Sequence, residues 1–183
     1  SAILNFGGID ILISNAGNAT SGMMLELDDK NLREAFELNF FAHKSFAVEA
    51  AKIMKLQNRG GQILFNISKQ AINPGSNMGA YGLPKATTMF LMRQLALELG
   101  SNKIRVNGIN ADRIRSGLLT DNFIRERSKN RGISEQVYME GNLLKQEVEA
   151  KHVAEGFRAL AQMKRTTGHI LTVDGGNTAA ELR

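Results

Sequence analysis

The chain has 183 residues, 43% of them hydrophobic, and 18 Gly, which suits one domain (1–183) with a sizeable core and argues against disorder. It has no Cys, which excludes a disulfide framework and a thiolate metal site and fits a reducing cytoplasm. Net charge is +5, but Lys and Arg are scattered among Asp and Glu. No nucleic-acid motif accompanies them, so no nucleic-acid role is assigned.

No stretch approaches the ~18 apolar residues of a membrane-spanning helix, and the first ten residues carry no signal-peptide pattern. The cluster Arg125, Arg127, Lys129, Arg131, which includes Glu126, reads as a solvated helix face or a mobile loop.

Residues 9–14 (IDILIS) form a short apolar run, ended by Asn15-Ala16-Gly17, as expected of a strand buried on both faces of a parallel sheet. Asp28 and Asp29 open a helix predicted over 28–57, with Leu32, Phe36, Phe40 and Ala47 at helical spacing and Gly60-Gly61 closing it. A second strand is predicted over 62–67 (QILFNI), followed by a loop with Asn73-Pro74-Gly75. A long helix over 80–99 follows, stopped by Gly100, with Pro84 near its first turn.

Residues 104–110 (IRVNGIN) give a third strand, and 112–145 read as irregular or as short helices. A helix over 150–162 and a strand over 169–173 (HILTV) complete the pattern before Asp174-Gly175-Gly176. Strands alternating with helices indicate an α/β fold built on a parallel sheet.

Within the second long helix, Tyr81 and Lys85 are four apart and share a face. A neighbouring ammonium stabilises a phenolate, which would lower the Tyr81 pKa from about 10 and fit it for proton transfer. Such a pair also arises by chance. Ser68 leaves the strand 62–67 at the end where open α/β sheets place ligands, thirteen positions before Tyr81. It either bonds a reacting oxygen or merely caps the loop. Asn39 lies mid-helix among apolar neighbours. It is a solvent-facing or core-satisfied amide, or it holds a water linking Lys85 to solvent. His43, His152 and His169 have no metal-like spacing, so no metal site is expected.

Together these residues resemble the short-chain dehydrogenase/reductase family. Ser14-Asn15-Ala16-Gly17 resembles the family's Asn-Asn-Ala-Gly motif, and Asn39, Ser68, Tyr81 and Lys85 are similar in order and spacing to its catalytic tetrad. Ile104–Asn107 and the segment from Thr167-Gly168 to Gly176 match later family positions.

The resemblance implies a Rossmann-like doubly wound parallel sheet that begins at its fourth strand, without the glycine-rich phosphate turn. It implies an NAD(P)-dependent oxidoreductase, NAD being the first choice and NADP not excluded. Asn15, Ala16, Gly17, Tyr81, Lys85, Ile114 and Ser116 would contact the cofactor. Association through the two long helices is also implied, with Met89 and Met92 at the interface or in the core.

Where the family carries Pro-Gly, this chain has Ala111-Asp112, followed by Arg113 and Arg115. These arginines either pair with Asp112 or Asp121 or hold an anionic substrate, whose planar charge Arg suits.

The strings FELNFF (36–41), NISKQAINP (66–74), YGLPKA (81–86) and NADRIRSGLLT (110–120) are more particular. With GNLLKQE (141–147) and RTTGHILTVDGGN (165–177), they resemble the dehydrogenase region of bifunctional rhamnulose-1-phosphate aldolase/short-chain dehydrogenases. That resemblance implies oxidation of lactaldehyde in rhamnose catabolism. The alternative is a non-catalytic scaffold that cannot hold a whole cofactor. If either arginine binds an anionic substrate, Arg113→Ala or Arg115→Ala lowers kcat/KM in steady-state assays; unchanged values in both would remove the idea.

Overall fold

The computed structural model describes residues 2–177. After a short helix α1 (Ala2–Phe6), strand β1 (Ile11–Ser14) enters the sheet. Helix α2 (Asp29–Phe36) runs through a π-helical segment (Glu37–Phe41) into α3 (Ala42–Gln57), then β2 (Gly61–Asn66) and a 3₁₀ turn (Lys69–Ala71). Helix α4 (Gly79–Leu99) leads to β3 (Ile104–Ala111). Two short helices, α5 (Asp121–Asn130) and α6 (Glu135–Met139), precede α7 (Ala150–Gln162) and β4 (Ile170–Val173).

The sheet has the order β1-β2-β3-β4, and every pairing is parallel. β2 and β3 lie in its middle, and their side chains alternate between two cores. Ile63 and Phe65 face α3 and α4, where Ala47, Met54, Met92 and Leu95 close around them. Leu64 and Ile109 face the opposite layer, with Val153, Phe157 and Leu160 of α7. This two-sided burial explains why the central strands read as unbroken apolar runs. β1 is an outer strand whose Ile11 and Ile13 are about half exposed, at 48% and 50%.

The predicted elements are all present, but their ends differ. The first long helix is interrupted by the π segment around Asn39 rather than running evenly. It ends at Gln57 because Asn58 takes a left-handed conformation (φ 50), while Gly61 opens β2. Helix α4 ends at Leu99 with Gly100 as its cap, as expected, but Gly100 does not reverse the chain. It continues right-handed into a 3₁₀ turn, and the reversal falls at Lys103 (φ 60). Met92 is fully buried in the core and Met89 packs against it, so core packing accounts for both. Among the described residues no helix is long and apolar enough to cross a membrane.

One close approach sets the distance between the loop after β2 and α4. A Cβ added to Gly82 would lie 2.9 Å from the Gln70 carbonyl oxygen, a backbone atom that cannot rotate aside. Gly82→Ala should push α4 off the turn that carries Ser68 and cost about 1–3 kcal/mol, read as a lower urea midpoint at unchanged m-value.

Candidate active site

Parallel strands present their carboxyl ends on one side of a sheet, and ligands of open α/β folds bind there. β1 and β2 deliver Ser14 to Gly17 and Asn66 to Ser68 to that side, and the N-terminal turns of α4 face them with Tyr81. Ser68 caps the loop it opens and also meets Tyr81. Its Oγ caps the 3₁₀ turn by accepting from the Gln70 amide at 3.2 Å, and its hydroxyl is hydrogen-bonded to the Tyr81 phenol.

Lys85 lies one turn further along α4, only 2% exposed, and donates to the Asn66 carbonyl at 2.9 Å. Its Nζ is 5.8 Å from the centre of the Tyr81 ring. Desolvation by burial lowers the Lys85 pKa to about 8. The Lys85 ammonium alone does not pull Tyr81 below 10, which corrects that part of the expectation: burial raises it, and the Ser68 hydrogen bond opposes this only in part. The phenol is therefore neutral near pH 7, a proton donor until a further positive charge arrives.

Asn39 is fully buried in the π segment, and such bulges inside helices frequently fall at functional sites. Its amide is satisfied locally: Nδ2 donates to the carbonyls of Asn18 (2.9 Å) and Ala35 (3.1 Å), and Oδ1 accepts from the Asn18 amide (3.3 Å). The Asn39 carbonyl accepts from the Thr88 hydroxyl at 2.7 Å, which locks the π segment to α4. Gly17 fits between the two groups. A Cβ there would sit 2.9 Å from Asn39 Oδ1 and 3.6 Å from Lys85 Nζ. Asn39 and Lys85 thus face the same backbone turn.

The other expected cofactor contacts divide. Asn15 Oδ1 accepts from Asn66 Nδ2 at 2.7 Å, which ties the exits of β1 and β2 together. Ile114 and Ser116 line the same cavity as Ser68 and Tyr81. The Ser116 hydroxyl, however, is engaged within its own turn, donating to the Ile114 carbonyl and accepting from the amides of Leu118 and Leu119.

Arg115 points elsewhere. It pairs with Asp121 (2.5 Å) and Glu147 (2.7 Å), does not line the cavity, and so follows the ion-pair alternative. Arg113 does line it, in a left-handed backbone conformation (φ 52), with its guanidinium held by the Tyr138 carbonyl and Asp112.

Some residues of the site were not singled out by the sequence. Arg127 and Arg131 line the cavity, but only Arg127 is half-buried, which corrects its reading as a purely solvated face; Arg131 stays exposed, as do Arg125 and Lys129. Spacing four apart on α5 and its end was the available signal, but nothing said which face turned inward. His43 is the other case. It is buried four residues after Asn39, with Nδ1 2.5 Å from the Ser14 hydroxyl. Among the described residues there is no group of His, Asp or Glu suited to a metal.

Desolvation first, and then the Lys85 charge, lower the His43 pKa to about 4, against a backbone hydrogen bond with Ala16 that raises it. Between pH 6.5 and 4 the unfolded chain binds a proton at this residue that the folded chain does not. Its contribution to stability is thus complete above pH 6.5 and shrinks as pH falls towards 4. Urea midpoints measured across that window should fall with decreasing pH, and His43→Gln should flatten the fall whatever its effect at pH 7.

Known sequences and structures match this arrangement. Residues 1–178 match the family profile described as enoyl-(acyl carrier protein) reductase. The uncharacterized oxidoreductase YuxG of Bacillus subtilis is 37% identical over 193 residues, covering 100% of this chain and 28% of that protein. The mitochondrial (-)-isopiperitenol/(-)-carveol dehydrogenase of Mentha piperita is 30% identical over 175 residues, covering 93% of this chain and 65% of the relative. The chain thus spans less than two thirds of either relative. In fold, the structure of carveol dehydrogenase from Mycobacterium avium in complex with NAD superposes with a TM-score of 0.89 at 22% identity, over 96% of this chain and 67% of that one. The parallel sheet, the order of its helices and the match along residues 1–178 lead to one conclusion: the chain belongs to the short-chain dehydrogenase/reductase family of NAD(P)-dependent oxidoreductases.

Proposed function

We propose that Tyr81, Ser68, Lys85 and Asn39 are the proton-transfer machinery of an oxidoreductase acting on a small alcohol or aldehyde. The observation that supports this most is the direct Ser68–Tyr81 hydrogen bond at the carboxyl end of β2, with Lys85 buried beside it. Ser68 would hold the reacting oxygen, and the neutral Tyr81 phenol would give it a proton, or take one in the oxidative direction. Lys85, anchored on the Asn66 carbonyl, keeps an ammonium next to that phenol. Asn39, across Gly17 from Lys85, would seat a water that passes the proton to solvent.

The group implied by the family is a nicotinamide dinucleotide, which supplies or accepts the hydride when bound. The residues present fit its nicotinamide end. Asn15, Ala16 and Gly17 would offer it their backbone where the chain leaves β1, with Gly17 packed against Asn39 and Lys85. Ile114 and Ser116 border the cavity into which Ser68 and Tyr81 open. NAD is our first assignment and NADP the second; among the structural neighbours one is titled with NAD and another with NADP.

The whole protein would associate as a homo-oligomer through the two long helices. Phe46 of α3 and Phe90 and Leu97 of α4 are 67%, 68% and 79% exposed, an apolar face that water does not favour. For the substrate, the strings in the sequence support lactaldehyde within rhamnose catabolism, in a protein that also carries an aldolase region. Its hydrate would present a hydroxyl to Ser68 and Tyr81.

Tyr81→Phe in the full-length protein should lower kcat by about 10²–10⁴-fold with little change in substrate KM, measured as nicotinamide reduction at 340 nm. Turnover surviving undiminished in Tyr81→Phe would remove Tyr81 as the proton-transfer group, whereas the absence of turnover with every alcohol and aldehyde in the unaltered protein would favour a non-catalytic scaffold.

A further inference from the structure

The cavity that Ser68 and Tyr81 open into encloses about 260 Å³, a size for a small metabolite. Its charge is lopsided. Lys69, Arg113, Arg127 and Arg131 all line it, and Asp112 is the single carboxylate among its lining residues. Four cations against one anion leave a formal surplus of +3 on one small cavity.

Asp112 is already shared. It pairs with Lys69 at 2.9 Å and with Arg113 Nε at 3.4 Å, and it accepts from Asn177. Arg127 and Arg131 make no ion pair among the described residues. Arg127 donates to the Ser76 carbonyl at 2.9 Å, and its Nε is buried with no hydrogen-bond partner.

The two remaining guanidiniums crowd one ring. Arg113 lies 4.7 Å and Arg131 5.1 Å from the centre of Tyr138. Two like charges against one ring disfavour each other, more at the largely buried Arg113 than at Arg131, which stays exposed to solvent. Lys69 feels it as well: burial, with Arg113 and Arg131, depresses its pKa against the pull of Asp112. Arg113 also keeps a left-handed backbone that a non-glycine residue adopts at some cost. Fixed, mutually repelling cations with an unused donor around a reactive pair are what an anionic ligand requires.

We propose that this cavity is an anion site, so that the compound oxidised or reduced at Tyr81 carries a carboxylate or phosphate bound by Arg127 and Arg131 with Lys69 behind them. Arg113 is the fixed wall that positions them. The proposal rests on the hydride-transfer reading of the site and sharpens its substrate. It turns the choice away from a neutral molecule such as lactaldehyde, which leaves the surplus charge uncompensated, towards a small hydroxy acid, oxo acid or phosphorylated hydroxy compound. Arginine forks suit both anions, and the experiment separates the two.

The full-length protein, saturated with NAD or NADP so that cofactor phosphates are already bound, is assayed with propane-1,2-diol and lactaldehyde as neutral compounds. Lactate and glycerol 3-phosphate are the anionic ones. Calorimetric titration with the same two anions runs in parallel at low and high salt.

One anionic compound should exceed every neutral one at least tenfold in kcat/KM, lactate marking a carboxylate site and glycerol 3-phosphate a phosphate site. That ratio should fall at least tenfold in Arg127→Gln and in Arg131→Gln, with partial recovery in Arg131→Lys. Anion affinity should weaken with salt, which is readable in the unaltered protein even where a variant does not fold. Preference for a neutral compound, or anion preference surviving in both glutamine variants, overturns the proposal and leaves hydride transfer standing. Salt-sensitive anion binding without any turnover upholds the anion site and ends the hydride-transfer reading.

Discussion

The site depends on one buried charge. Lys85 sits inside the protein at 2% exposure, and its ammonium is kept by a hydrogen bond to the backbone carbonyl of Asn66. An ammonium taken out of water is costly unless a fixed acceptor meets it. Here the acceptor is the last residue of β2, so the same bond that satisfies the charge also fixes the start of α4 against the end of the sheet. The depressed Lys85 pKa, about 8, is what remains of that cost.

Other contacts reinforce this docking. Thr88, less than one turn beyond Lys85, bonds the Asn39 carbonyl and fastens the π segment to α4. Gly82 lets the helix approach the Gln70 carbonyl closely, bringing Tyr81 to Ser68. Asn15 and Asn66 join the exits of β1 and β2. His43 lies under the same turn, neutral because burial and the Lys85 charge both disfavour its imidazolium. Four elements distant in sequence therefore meet around one polar cluster, while the apolar cores on both faces of the sheet hold the elements that carry it.

Charge separates the two ends of the site. The end formed by Gly17, Asn39 and Lys85 holds a single ammonium, with the Asn39 amide neutral and locally satisfied. The end formed by the segment after β3 and by α5 and α6 gathers guanidinium groups around Asp112 and the Tyr138 ring. A small core of Leu119, Ile124, Tyr138 and Met139 gives that second end its own support. Under the proposed function, substrate discrimination would be set there, apart from Tyr81 and Lys85.

The sequence by itself determined the layered α/β plan, because strands buried on both faces must be apolar throughout and amphipathic helices repeat at 3.6 residues. It also placed Tyr81 and Lys85 on one face, since a helix turn relates residues four apart whatever surrounds them. Ser68 was legible from its place at a strand exit. Tertiary structure alone decided the rest. The π segment at Asn39 leaves no periodic signature, and Gly100 and Lys103 exchanged the roles their residue types suggest, because packing rather than propensity set that turn. The sign of the Tyr81 shift followed from burial, which local sequence does not encode. The place of Arg127 and Arg131 at the cavity, and the outward turn of Arg115 to Asp121 and Glu147, came from how α5 and the loop before it settle over the cavity. Charged residues read alike along a chain; only the fold says which of them share a cavity and which face water.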